Sequence, residues 1–300
     1  MPIDCICPPV IIMGMSRSGT TMLAELLAEL GLYLGGTHVQ EDLEAYYFFQ
    51  ANRKIFRHIH GFSDNPSPMR YFYRNGDAVE ATARSLEADV RSWRIVKFLG
   101  WRNLIKYRSV ARLNQPWGWK DPHNVFTLPL WLKVFPSAKV IYIVRNGVDV
   151  AGSLRIMEQR DTRRRQVRSR RVLSVLKGTS SLERHGFKGA VRHLYLDGGF
   201  SLWEEYVEQA DAVLAKIEQR TFILRYEDFL SDPARHLSDL HRFCELEKDS
   251  ATRIDAVTSQ VKRERAYAFT NDAELTEFFA SVKHSPWMVR LGYSDVPTQA

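Results

Sequence analysis

The sequence predicts an α/β chain: a parallel sheet of about five strands flanked by helices, built as one domain over residues 1–300. Three observations carry that prediction. The apolar run Val10 to Met13 is followed by a glycine-punctuated loop and then by a helical pattern from Thr20 to Leu30. The run Ala138 to Val144 is apolar apart from Lys139 and passes at once into a second helical pattern from Gly147. Between them, a short strand ending at Lys120 precedes a helix over Asn124 to Phe135, which Pro136 stops.

In chain order, the first unit is a phosphate-binding layout. Gly14 and Gly19 let the backbone fold back so that loop amides and the positive end of the following helix converge on one anion. The glycine spacing is that of a Walker A loop, but Thr20 stands where its lysine would be and the basic residue is Arg17. Without that lysine, ordinary nucleoside triphosphate hydrolysis is disfavoured. The first helix buries Leu23, Leu26, Leu27 and Leu30, and Gly31 stops it. A second helical stretch runs from the cluster Glu41, Asp42, Glu44 to Phe56; acids at a helix start complement its dipole, and they are also the nearest acidic group after the anion loop. His58 and His60 have no partner at metal-ligand spacing. Asp77 to Trp93 reads as a helix and Ile95 to Phe98 as a second strand.

Lys120 falls at the edge of the sheet, where such folds bind ligands. The strand over 138–144 delivers Arg145, with Asn146 as helix cap and Asp149 three positions on. Ser153, eight residues after Arg145, can close on the same anion, although Arg145 paired with Asp149 would serve structure alone. Further helices are expected over Phe200 to Ile217 and Asn271 to His284.

The net charge of +7 resides almost entirely in Arg160 to Arg171, with seven arginines and one acid. That segment lacks interleaved aromatics, so no nucleic-acid partner is expected. A solvated basic face is its default; as a lid over 160–190 it would favour an anionic acceptor. The amino-terminal residues lack signal-peptide features, no run is long enough to span a membrane, and three cysteines form no disulfide framework, so a cytoplasmic protein is expected.

Arg17-Ser18-Gly19-Thr20-Thr21 after a strand resembles the loop of the sulfotransferases, and Trp117 to Leu154 resembles the second half of their nucleotide site. Thr221 to Phe229, followed by Asp232-Pro233 and a helix ending Leu240 to Phe243, is similar to their Tyr-Glu-Asp segment. Together these span roughly Pro9 to Phe243 in the family's order. The resemblance implies a single P-loop-like domain and a donor, 3′-phosphoadenosine 5′-phosphosulfate. Ser18, Gly19, Thr20 and Thr21 would hold its 5′-phosphate, Arg145 and Ser153 its 3′-phosphate, and Tyr226 the nucleotide; Arg17 and Lys120 would neutralise the bridging and leaving oxygens. Lys262, Arg263 and Arg265 form a late basic segment, as in some relatives, but without a matching motif.

Pro122 replaces the base of the cytosolic Lys-x-His type and so leans the resemblance to the tyrosylprotein and heparan-type enzymes and their bacterial relatives. That type implies a glutamate base: Glu44 first, Glu41 second, with His123 third. The acceptor would be a small molecule, glycan, lipid or peptide. Sulfuryl transfer is governed by positioning and charge and requires no metal. A small-molecule kinase would instead need a metal-binding acid at a strand end, where Arg145 stands, and a purely anion- or nucleic-acid-binding protein would leave Arg17, Lys120, Arg145 and Ser153 unexplained.

Overall fold

The computed structural model describes residues 2–39, 43–169, 189–247 and 253–296. The chain forms two compact units, Met1–Arg145 with Tyr206–Ala266, and Asn146–Glu205 with Tyr267–Ala300. Its strands are β1 (Val10–Met13), β2 (His38–Val39), β3 (Glu44–Ala45), β4 (Gly118–Lys120), β5 (Lys139–Val144) and β6 (Thr221–Arg225). The described helices are α1 (Thr20–Glu29), α2 (Tyr46–His58), α3 (Pro68–Phe72), α4 (Gly76–Arg91), α5 (Val96–Tyr107), α6 (Asn124–Val134), α7 (Gly147–Ser169), α8 (Leu196–Leu214), α9 (Tyr226–Ser231), α10 (Pro233–Phe243), α11 (Ile254–Thr258), α12 (Ala273–Val282) and α13 (Pro286–Arg290).

In the first unit the strands form one sheet in the order β2-β3-β4-β1-β5-β6. Every neighbouring pair is parallel except β2 and β3, so the expected parallel sheet gains a two-residue antiparallel strand at one edge. Alternation along the strands builds two cores. Val10, Ile12, Ile141, Ile143 and Leu224 pack with Leu23, Leu26, Leu27 and Leu30 of α1. In the aromatic core, Phe48 of α2 stacks on Trp119 of β4 at 4.0 Å, and Trp131 of α6 meets Phe48 edge-on at 5.2 Å. Each such buried side chain contributes roughly 1.5–3 kcal/mol.

Two sequence expectations are corrected here. Glu44 and Ala45 are strand rather than the first turn of a helix, and α2 begins only at Tyr46. Ile95 to Phe98 is not a strand: Ser92 accepts the Arg94 N–H at 3.3 Å and starts a 3-10 turn that runs into α5. Three apolar residues around Lys97 do not separate the two states; the neighbours do, since Phe98 and Leu99 are buried while Trp101 and Ile105 face solvent.

The described part of the second unit is helical. Asn146 caps α7 as expected, its Oδ1 accepting the Val148 N–H at 2.9 Å. Asp149 Oδ1 accepts the Phe269 N–H at 2.8 Å, which fastens the turn before α12 to α7. Of the arginine-rich run, 160–169 lies in α7; residues 170–188 are outside the described residues. Among the described residues no helix is long and apolar enough to cross a membrane.

Candidate active site

The loop between β1 and α1 is folded tightly against the neighbouring strand. A Cβ on Gly14 would stand 2.4 Å from the Ile143 carbonyl oxygen, so only glycine permits that approach. Arg17 takes a left-handed φ of 74°, a conformation that costs about 1–2 kcal/mol in an L-residue. Gly19, at φ 94°, precedes α1, which has no side-chain cap. The N–H groups of its first turn, with the dipole behind them, are therefore turned to the loop. Ser18 and Thr20 are buried and Arg17 is exposed.

Parallel register brings further residues to the same carboxyl edge of the sheet. Val144 pairs with Arg225, so Arg145 and Tyr226 leave adjacent strand ends. The Arg145 guanidinium lies over the Tyr226 ring, 4.7 Å from its centroid. It donates to the Arg17 carbonyl at 3.4 Å and to the Arg265 carbonyl at 3.1 Å. Tyr226 in turn fills the space beside Gly19, where a Cβ would meet its ring at 2.6 Å. Arg17, Gly19, Arg145 and Tyr226 thus form one assembly from three separated stretches. Arg265 joins through its backbone, and only the clustered cations at 262–265 pointed to that turn in the sequence. Ser153 lies on α7, in the second unit.

On the other side of β1, Ile12 pairs with Lys120 and Lys120 with Glu44. Lys120 is 2% exposed, and its Nζ donates to Glu44 Oε1 at 3.2 Å. The strand position of Glu44 makes this contact, because register sets the two residues side by side on neighbouring strands. An ammonium and a carboxylate are thereby held together on the strands beside β1. Glu41, the second glutamate candidate, lies outside the described residues.

The turn after Lys120 carries a buried polar network that sequence inspection missed. Asp121 Oδ1 accepts the His123 backbone N–H at 2.9 Å and lies 2.7 Å from His123 Nδ1. Asn52, from the middle of α2, donates to Asp121 Oδ2 at 2.7 Å and to Asn124 Oδ1 at 2.9 Å. Its own Oδ1 accepts from Thr127 at 2.9 Å and from Trp131 Nε1 at 2.8 Å. Asn124 reaches across to the Ile12 carbonyl at 3.1 Å, tying the turn to β1. Burial alone would push the His123 imidazole down; the charge and hydrogen bond of Asp121, with Glu44 adding, raise it above its ordinary value. A lone asparagine amid an amphipathic helix gave no signal of this role.

Cys5, Cys7 and Cys244 are free thiols. Among the described residues no three His, Cys, Asp or Glu side chains are grouped to hold a metal ion.

The "Sulfotransferase family" model matches residues 8–250. No curated protein matches the chain. Among solved structures, the chain is similar to a sulfotransferase domain from the curacin biosynthetic pathway, at 16% identity over 94% of this chain and 99% of that one, with a TM-score of 0.49. It is also similar to a sulfotransferase from Alicyclobacillus acidocaldarius, at 17% identity over 96% and 97% with a TM-score of 0.44. A third is sulfotransferase STF1 from Mycobacterium tuberculosis H37Rv, at 15% identity over 92% and 77% with a TM-score of 0.42.

Proposed function

The chain belongs to the sulfotransferase family, and from that premise we propose that it moves a sulfuryl group from 3′-phosphoadenosine 5′-phosphosulfate to an acceptor hydroxyl or amine by in-line displacement. The observation that carries the choice of donor is the meeting of Arg145 with the β1–α1 loop and Tyr226. A buried cation beside the β1–α1 loop suits a nucleotide with a separate phosphate on the ribose 3′ position, which ADP and ATP lack.

Ser18, Gly19, Thr20, Thr21 and the loop amides hold the 5′-phosphate. Arg145 holds the 3′-phosphate; Ser153 shares that role on the motif alone. Tyr226 fixes the nucleotide and is itself fixed by Arg145. In the transfer, a new bond forms between the acceptor atom and sulfur as the bond from sulfur to the phosphate oxygen breaks. The leaving group is 3′-phosphoadenosine 5′-phosphate, and Arg17 and Lys120 neutralise the charge that gathers on its oxygen. Glu44 removes the acceptor proton as attack proceeds. Its contact with Lys120 supports that role, since it sets acid–base and charge-stabilising groups side by side. His123, held by Asp121, is the second candidate for the base.

Calorimetric titration with 3′-phosphoadenosine 5′-phosphate, with ADP in parallel, tests the donor. Binding of the 3′-phosphorylated nucleotide is expected to exceed that of ADP and to weaken roughly 10- to 100-fold in Arg145→Ala, the range for a charged hydrogen bond. Equal binding of both nucleotides by the folded protein would refute the assignment.

A further inference from the structure

Between Asp89 and Asp121 the chain carries eight Lys and Arg residues and no acidic one. Large apolar side chains face solvent in the same stretch. Gly100, at φ 68°, breaks α5 into two parts. In the second part Trp101 and Ile105, four residues apart and so on one helix face, are 69% and 77% exposed. Arg102 and Lys106, each one position on, repeat the same spacing and are exposed, as are Arg108 and Arg112.

This exposure is not that of a loosely held end. Phe98, Leu99 and Tyr107 of the same helix are buried, and the Tyr107 hydroxyl bonds Asn114 at 2.7 Å. The Gly36 N–H donates to the Phe98 carbonyl at 2.7 Å, and Lys97 Nζ sits 5.2 Å from the Tyr46 ring centroid. The inner side of α5 thus braces the sheet edge that carries Glu44. Nearby Arg91 and Arg94 are tied to Glu87 and Asp89. Among the described residues Arg102, Lys106, Arg108 and Arg112 enter no ion pair.

We propose that this face of α5 docks on an anionic lipid bilayer. Trp101 and Ile105 enter the interface, and the four flanking cations meet the headgroup phosphates. Charge complementarity selects that occupant. A second copy of the chain would set two acid-free basic stretches against each other. A single-stranded nucleic acid would be served by stackable rings, whereas the neighbour of Trp101 on this face is the aliphatic Ile105.

The test is co-sedimentation of the full chain with phosphatidylglycerol vesicles and with phosphatidylcholine vesicles, at low and high salt. Binding is expected to phosphatidylglycerol alone and to fall with salt. Arg102→Gln with Lys106→Gln should weaken it about thirtyfold, at ~fivefold per cation. Trp101→Ser with Ile105→Ser should also weaken it, whereas Arg235→Gln, an exposed cation on α10, should not. Failure to bind phosphatidylglycerol at low salt, unchanged binding in either double variant, or an equal loss in Arg235→Gln would overturn the proposal. Capture of a thymidine oligonucleotide through Trp101 without vesicle binding would overturn it too. None of these readouts involves sulfuryl transfer, so the docking face and the donor assignment stand or fall separately.

Discussion

Removing the Asn52 side chain should loosen the turn that carries the candidate site, and its cost can be worked from the contacts. Asn52 makes four side-chain hydrogen bonds, to Asp121, Asn124, Thr127 and Trp131, and all five residues are fully buried. At about 1 kcal/mol for each neutral bond and ~2 kcal/mol for the one to the Asp121 carboxylate, the sum is roughly 5 kcal/mol. Three of the partners keep other bonds: Thr127 to the His123 carbonyl, Asn124 to Trp119 and Ile12, and Asp121 to His123. Asn52→Ala is therefore expected to cost about 4 kcal/mol. Asn52→Asp changes almost no volume but sets a second carboxylate where the first is now 2.7 Å from an amide, so it should cost at least as much. Urea unfolding followed by tryptophan fluorescence measures both, with an unchanged slope confirming comparable unfolding. Losses below ~1 kcal/mol for both variants would refute the network.

Gly19→Ala should destabilise by about 2 kcal/mol, through its left-handed φ and the Tyr226 ring; in a Tyr226→Ala background only the conformational part, ~1 kcal/mol, should remain in thermal unfolding. Lys120→Met takes the Lys120 ammonium away from a mostly buried Glu44 carboxylate and should cost about 3 kcal/mol, with at least half recovered by adding Glu44→Gln. If Lys120 steadies the leaving oxygen, donor turnover in Lys120→Met should also fall by about two to four powers of ten; recovery of stability without any change in rate would separate the two roles. The His123 pair with Asp121 raises the folded-state pKa, so its stabilisation is complete below the ordinary histidine value, ~6.5, and fades as pH rises through the folded value. The stability gap between the protein and His123→Gln should therefore shrink from mildly acid to alkaline pH, and a gap that widens would contradict the pair.

Local chemistry was legible from sequence wherever one stretch contained its own reason. The glycine spacing around Arg17, the apolar run before Arg145 and the cap at Asn146 each determine a conformation through neighbours within a few residues, which is why the sheet type and the tight turn between β1 and α1 were readable. The resemblance placed Glu44, Lys120 and Tyr226 in roles but could not supply their contacts. Only tertiary structure decided that Glu44 is a strand residue beside Lys120, because a two-residue strand has no periodicity and exists by pairing with β4. The same holds for Ile95 to Phe98, where three apolar residues around Lys97 suit strand or helix until packing chooses. Asn52 lies 69 residues from Asp121 and Tyr226 lies 207 from Gly19, so no local pattern could join them. Burying an amide or an arginine is favourable only where distant partners meet its hydrogen bonds, and those meetings belong to the fold as a whole.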